Sequence, residues 1–383
     1  MKNSNIKIIA IGVLAILSVT SCKKKGCTDP EAYNYSDEAK KDDGSCFYNA
    51  PYIIPTTYSF TDVLSGNNTV NYSGQTERLN QLREMVSLMK TSINASISAD
   101  DLKAMFANTG GNGNGNFSFT STKQLKDKCF AVDQSLFETW MDKLALASVS
   151  FSSQATDGQA GVLTSGTSTY LFDENGREYL QFIEKGLMGA VFMHQSLNIY
   201  FSSSKMDVDN TTAVDAVNGK YYTEMEHHFD EAFGYFGVGI DFPTTIPADF
   251  WGKYCNNQNA TLNSNADLML NFRKGRAAIS NNYLTDRDKA IKAISKEWEE
   301  ISAFQAKKYL QDAISFFGND DAKYLHALSE AYAFSWNLRY APEATRRFTP
   351  TSHTSLMNLY KSNFWEMTVA DLNAIISELD AKY

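Results

Sequence analysis

Apolar residues recur at spacings of three and four through most of this chain, and that period constrains the fold more than any other feature. In "ERLNQLREMVSLMKTSI", Leu79, Leu82, Met85, Val86 and Met89 fall on one face of a helix. The same period runs through "ADLMLNFRKGRAAISNN", "RDKAIKAISKEWEEISAFQAKKYLQDAISFF", "DAKYLHALSEAYAFSWNLRY" and "VADLNAIISELDAKY". "REYLQFIEKGLMGAVFMHQSLNIYF" is mostly apolar and predicts a buried helix. Only 7 prolines occur in 383 residues, as long helices require. No fixed-period repeat and no strand–helix alternation is visible. The expected fold is therefore all-α: an irregular multi-helix bundle of roughly eight to ten helices. At 43% hydrophobic residues the chain can bury a large core.

Between the stripes the reading is local. Thr76 is placed to cap the first helix, and Ser98 to cap "ADDLKAMFAN", which has acids in its first turn. "YSFTDVLSGNNTVNYSG" reads as irregular or short extended structure. "NTGGNGNGNFSF" reads as a flexible Gly/Asn loop; no Gly-Lys-Ser/Thr follows, so it is not a phosphate loop. Helical patterns resume in "KQLKDKCFAVDQSLFETWMDKLALAS" and "KYYTEMEHHFDEAFGYFG". Residues 150–168, rich in Gly, Ser and Thr, form a connection.

The N-terminus has two lysines, then an apolar run from Ile8 to Leu17, then small residues ending in Cys22. The run is too short to span a bilayer and has the shape of a secretory signal. "LSVTSC" resembles a bacterial lipobox. That resemblance implies removal of residues 1–21, a diacylglycerol on the Cys22 sulfur and a tether over 22–26. The lipid would hold the protein to a membrane without a transmembrane helix. The expected location is the cell envelope, at the outer membrane.

Cys27 and Cys46 bracket "CTDPEAYNYSDEAKKDDGSC". With its Gly-Cys-Thr-Asp start, Ala-x-Asn-Tyr middle and Asp-Gly-Ser-Cys end, the segment over 27–48 resembles a small cysteine-paired module of secreted Bacteroidetes proteins. The resemblance implies a Cys27–Cys46 disulfide, worth roughly 3 kcal/mol in the chain-entropy account. Asp29, Asn34, Asp42 and Asp43 can be read as calcium donors or as turn formers; turn formers are the plainer reading. The spacing of Cys129 and Cys255 is compatible with a pair or with two buried thiols.

A net charge of −9 argues against a nucleic-acid partner. Neither Gly-x-Ser-x-Gly nor His-Glu-x-x-His is present. "FRKGRAA" over 272–278 is a basic patch, read as the solvated face of a helix sooner than as an anion site.

One stretch gathers chemistry. "EMEHHFDEAFGYFG", Glu224 to Gly237, holds two of the five histidines. On a helix Glu224 and His228 are four apart, as are His227 and Glu231, while His228 and Glu231 are three apart, so side chains at these spacings meet. Imidazole with carboxylate suits iron or another borderline divalent metal. Phe229, Ala232, Phe233 and Phe236 give the other face its packing. The plain alternative is an amphipathic helix with histidines on its wet side. A site needs donors from elsewhere, and His194 and Glu330 are the candidates.

"VNYSGQTERLNQLREM", "GLMGAVFMHQ", "HHFDEAFGYFG" and "LSEAYAFSWNLRY" together resemble an uncharacterised Bacteroidetes lipoprotein family, known as a numbered domain of unknown function. The likeness covers nearly everything from residue 52 to 383, and the Tyr-Ser-Gly-Gln-Thr-x-Arg-Leu piece is its most specific part. The family's association with imelysin-like and outer-membrane receptor genes implies iron acquisition and an uptake receptor as partner. His228 and Glu231 form a His-x-x-Glu similar to that of imelysin-like helical proteins, in which the pair implies a metal site. Their usual Gly two places before the His is Glu226 here. Three readings follow: a lipoprotein that binds a metal or metal-bearing ligand, a structural or partner-binding lipoprotein, and an imelysin-like metallopeptidase. The missing catalytic spacings favour the first two over an enzyme.

Overall fold

A computed structural model describes residues 24–30, 32, 35–46, 51–62 and 64–383. The proposed signal peptide, Cys22 and Asn34 lie outside the described residues. The chain divides into two compact units, 1–53 and 54–383.

In the first unit Cys27 and Cys46 form the expected disulfide. Backbone bonds from Ser36 N–H to Cys27 O and from Gly26 N–H to Lys41 O complete the small frame. Asp42 and Asp43 each accept an amide two residues on, from Gly44 and Ser45, so both act as turn formers.

The second unit is the helical body. Among the described residues it holds twelve α-helices: α1 Ser73–Lys90, α2 Ala99–Phe106, α3 Gln134–Ser148, α4 Tyr179–Leu187, α5 Ser203–Met206, α6 Glu224–Phe236, α7 Phe250–Leu262, α8 Ser264–Ser280, α9 Leu284–Phe316, α10 Asp321–Asn337, α11 Pro350–Met357 and α12 Val369–Asp380. The long α9 packs against α8 and α10, with α7 and α12 also on it. Trp298 of α9 meets Phe236 of α6 and Trp251 of α7 edge-on, at 4.9 and 5.7 Å between ring centres. The five stripe residues of α1 are all buried, which is what their period demands.

Several expectations need correction. Helix α1 begins at Ser73, where Asn71 Oδ1 accepts the Ser73 amide; Thr76 sits inside the first turn and is no cap. Ser98 does cap α2, accepting from Asp101 N–H. The Gly/Asn loop is folded on Asn108, whose side chain donates to Ser121 O and Lys123 O and accepts from Gly113 N–H. Residues 150–168 are not a plain connection. Strand β1, Gly161–Ser165, pairs antiparallel with β2, Ser168–Phe172, in a hairpin. Ser and Thr satisfy a strand's steric needs without the apolar alternation that announces one. Helix α7, "FWGKYCNNQNATL", was hidden by its Asn and Gln content.

The apolar helix after α4 departs from α-winding. Met188–Met193 and Gln195–Tyr200 are π-helical. Its carbonyls and side chains are braced from outside: Met188 O accepts Trp251 Nε1–H at 2.9 Å, Ala190 O accepts Phe130 N–H at 2.8 Å, and Asn198 donates to Tyr340 O. A Cβ on Gly189 would lie 2.0 Å from Asn337 Oδ1, so only glycine allows this approach. Cys129 and Cys255 are free, buried thiols; burial pushes Cys255 up to about 12, which makes it unreactive.

Candidate functional site

Helix α6 carries the stretch singled out above, and its start is fixed by a capping box. Thr223 accepts the Glu226 amide, and Glu226 Oε2 accepts the Thr223 amide at 3.0 Å. The helix is buried on most sides, not split into one wet and one apolar face. Phe229, Ala232, Phe233 and Phe236 pack as expected.

The acidic residues of the stretch separate into two groups. Glu226 and Asp230 turn to α8, where Arg276 has no exposed side-chain surface. Arg276 Nη1 donates to Glu226 Oε1 at 2.6 Å, Nε to Asp230 Oδ1 at 2.9 Å, and Nη2 to Thr69 Oγ1 at 2.9 Å. Burial works against the guanidinium charge, but Asp230 and Glu226 outweigh it and hold its pKa above the ordinary value. Burial also pushes Asp230 up, to about 6. Against that push stand Arg276, the Tyr58 hydroxyl at 2.8 Å and the Asn71 amide at 3.2 Å, and these donors favour the carboxylate. "FRKGRAA" is thus not a solvated face: its second arginine is the buried partner of α6.

Glu224, His227, His228 and Glu231 lie on the remaining side. His228 Nδ1 faces Glu231 Oε2 at 3.1 Å, and Glu231 Oε1 accepts from Gln75 Nε2 at 3.0 Å and from Tyr200 OH at 3.1 Å. Burial acts to raise the Glu231 carboxyl, but the hydrogen bonds from His228 and Gln75 and the neighbouring imidazoles win and hold it below its ordinary range. An ionised Glu231 can only accept, so it fixes the proton of the neutral imidazole on Nδ1. His228 Nε2 then keeps its lone pair. That atom is buried, has no hydrogen-bond partner among the described residues, and lies 3.6 Å from Glu224 Oε1. Glu224 is the exposed member, its side chain 53% accessible.

His227 points elsewhere. Its Nδ1 lies 3.1 Å from Asn71 O, and its ring stacks on Tyr222 with centres 4.5 Å apart. Burial lowers its pKa. It is held by packing and backbone, and it does not join His228 on a common point.

The suggested outside donors are not there. His194 packs against Phe130, with ring centres 4.9 Å apart, and burial pulls it down to about 4. Its place within the π-wound segment makes it a core histidine. Glu330 belongs to another cluster, 3.3 Å from His326 Nε2 and 3.8 Å from Lys185 Nζ. Among the described residues no three His, Cys, Asp or Glu side chains assemble a metal-binding group.

The partners that do converge on Glu231 are Gln75 and Tyr200, and the residues did not single them out. Gln75 stands in "YSGQT", however, so the most distinctive segment of the sequence folds directly onto the His/Glu helix. Asn71 meets His227 and Asp230, and Tyr72 meets Phe233 edge-on at 5.5 Å. Gly234 admits that contact: a Cβ there would fall 2.5 Å from Tyr72 Cβ.

A sequence profile of the family described as Domain of unknown function (DUF4856) matches residues 55–383. No curated protein and no solved structure matches the chain.

Proposed function

We propose that this chain, which belongs to the DUF4856 family, is an envelope lipoprotein that captures a metal arriving with ligands of its own. One observation carries the reading: the buried, unpartnered Nε2 of His228, which Glu231 orients and Glu224 faces. A carboxylate that holds the far nitrogen of an imidazole is how metal-binding histidines are set. The roles differ from a simple His-x-x-Glu pair. His228 Nε2 and Glu224 are the donors, and Glu231 is the orienting group behind them. Two donors make a poor cage for a bare ion, since a structural site takes four. They suit a chelate that supplies the rest of its own coordination and that must later be released. A peptidase would need three protein donors and a base, which is why binding is the reading we favour. Lipidation on Cys22 and hand-over to an outer-membrane receptor belong to the same proposal. Mass spectrometry of the mature N-terminus checks the first, and an unmodified Cys22 would refute it.

The test is thermal unfolding with ferric citrate, beside zinc alone as a bare ion that should shift the midpoint little. At a hundredfold excess over its dissociation constant the ligand should stabilise the protein by about 2.7 kcal/mol. His228→Ala and Glu224→Gln should each abolish the shift, and Glu231→Gln should weaken binding about 10-fold or more. Equal shifts in wild type and His228→Ala would leave α6 as a packing element and the protein as a structural lipoprotein.

A further inference from the structure

On another part of the helical body, strand β2, the start of α4, the end of α1 with the turn after it, and His326 of α10 line a half-open cavity of about 320 Å3. That is the size of a small-molecule pocket. Ile93, Tyr170, Leu171 and Leu180 supply apolar walls. Two polar atoms among the lining residues lack partners among the described residues: Ser92 Oγ and Gln181 Oε1, on side chains of residues 1% and 6% exposed. A buried oxygen left unpaired is a standing cost that a bound donor would remove.

The charges around the cavity are largely spoken for. His326 Nδ1 meets Glu178 Oε2 at 2.6 Å and its Nε2 meets Glu330 Oε2 at 3.3 Å, while its ring stacks on Tyr170 with centres 4.3 Å apart. Gln181 Nε2 donates to Glu178 Oε1 at 3.1 Å, and Lys185 pairs with Glu184 at 2.9 Å. The lining carboxylate, Glu178, therefore already holds donors from His326 and Gln181. One lining charge has no ion-pair partner among the described residues, the exposed Lys90 at the end of α1.

We propose that this cavity binds a small organic monoanion with an apolar body and at least one hydroxyl or N–H group. The carboxylate would pair with Lys90, the donor would satisfy Gln181 Oε1 or Ser92 Oγ, and the body would lie against Tyr170, Leu171 and Leu180. The site is separate from the His228 cluster and needs no metal.

The experiment is saturation-transfer NMR on the purified protein with a panel of aliphatic and aromatic hydroxy and amino acids, each beside its methyl ester. At least one acid should bind. Its ester should bind about tenfold more weakly, the loss of one charge-assisted hydrogen bond. Lys90→Gln, a surface change, should bring the acid down to the ester's level, and Gln181→Leu should weaken acid and ester alike. EDTA and His228→Ala should leave binding unchanged, which separates this site from the metal proposal. Absence of binding across the panel, equal affinity of acid and ester, or indifference to Lys90→Gln would overturn the assignment.

Discussion

Replacing Arg276 by Met is the sharpest probe of how α6 is held. The guanidinium has no exposed surface and bonds Glu226, Asp230 and Thr69, so it ties α6 and α8 to the segment before α1. Met is apolar and flexible and fills most of the vacated space, so little of the loss should come from a cavity. The main cost is electrostatic: two buried carboxylates lose their counter-charge. Removing one partner of a buried pair costs about 3–5 kcal/mol. Asp230 keeps the Tyr58 and Asn71 donors, and Glu226 keeps Thr223 N–H and the Ser280 hydroxyl at 2.8 Å. We therefore expect the lower end, about 3 kcal/mol near neutral pH.

The pH dependence follows from the same geometry. Burial already raises Asp230 to about 6 in the folded wild type, above its unfolded value of about 3.9, and without Arg276 it rises further. The folded variant then binds more protons than the folded wild type between about 6 and its own higher pKa. Its deficit should shrink as pH falls through that window, by about 1.4 kcal/mol for each unit the pKa is raised. Urea unfolding of wild type and Arg276→Met at about pH 5 and about pH 7.5 gives both numbers. A loss under about 1 kcal/mol near neutrality, or a larger loss at the lower pH, would refute the ion-pair account.

Two further outcomes are expected. Gly189→Ala forces a Cβ to within 2.0 Å of Asn337 Oδ1, and Asn337 is itself pinned by its bond to Lys185 O; we expect a loss of about 2–4 kcal/mol, and an unchanged unfolding midpoint would show that the close approach relaxes freely. For His326, burial acts to lower the pKa, but Glu178 and Glu330 outweigh it and raise it above the ordinary value. Its stabilising contribution is thus complete below about pH 6.5 and is lost as pH rises through the folded value. Melting curves should fall more steeply from about pH 6 to pH 8.5 in wild type than in His326→Gln, and parallel curves would contradict the pairing.

What was legible depended on whether a signal was local. The stripe of α1, the Ser98 cap and the apolar face of α6 are set by neighbours three or four residues away, and each is where its period placed it. Arg276 illustrates the limit: from its own helix it looks like the solvated arginine of a basic patch, and only the packing of α8 on α6 shows the two carboxylates it serves. Glu330 and His194 failed as donors for a related reason: Lys185 and Phe130, which hold them elsewhere, lie far off in sequence, although His326 is only one helical turn from Glu330. The contact between "NYSGQT" and "EMEHHFDEAF" joins two segments that the sequence makes distinctive, but nothing within either one brings them together. The hairpin was lost because its Ser and Thr residues carry no alternation.

The π-wound stretch over 188–200 carries spare residues on the way to Tyr200. In an α-helix each residue advances the azimuth by about 100°, and a wide π-turn takes up one extra residue so that what lies beyond it keeps its direction. Tyr200, at the end of the second such stretch, still reaches Glu231 although the segment before it holds more residues than an α-helix of the same span. Deleting a single residue between Met188 and Gln195 should let the first wide turn close to α-winding and leave the Tyr200 hydroxyl near its carboxylate. Every side chain of the His228 cluster would remain in the sequence. The π-wound segment thus carries a reserve of length that the cluster around His228 need not feel.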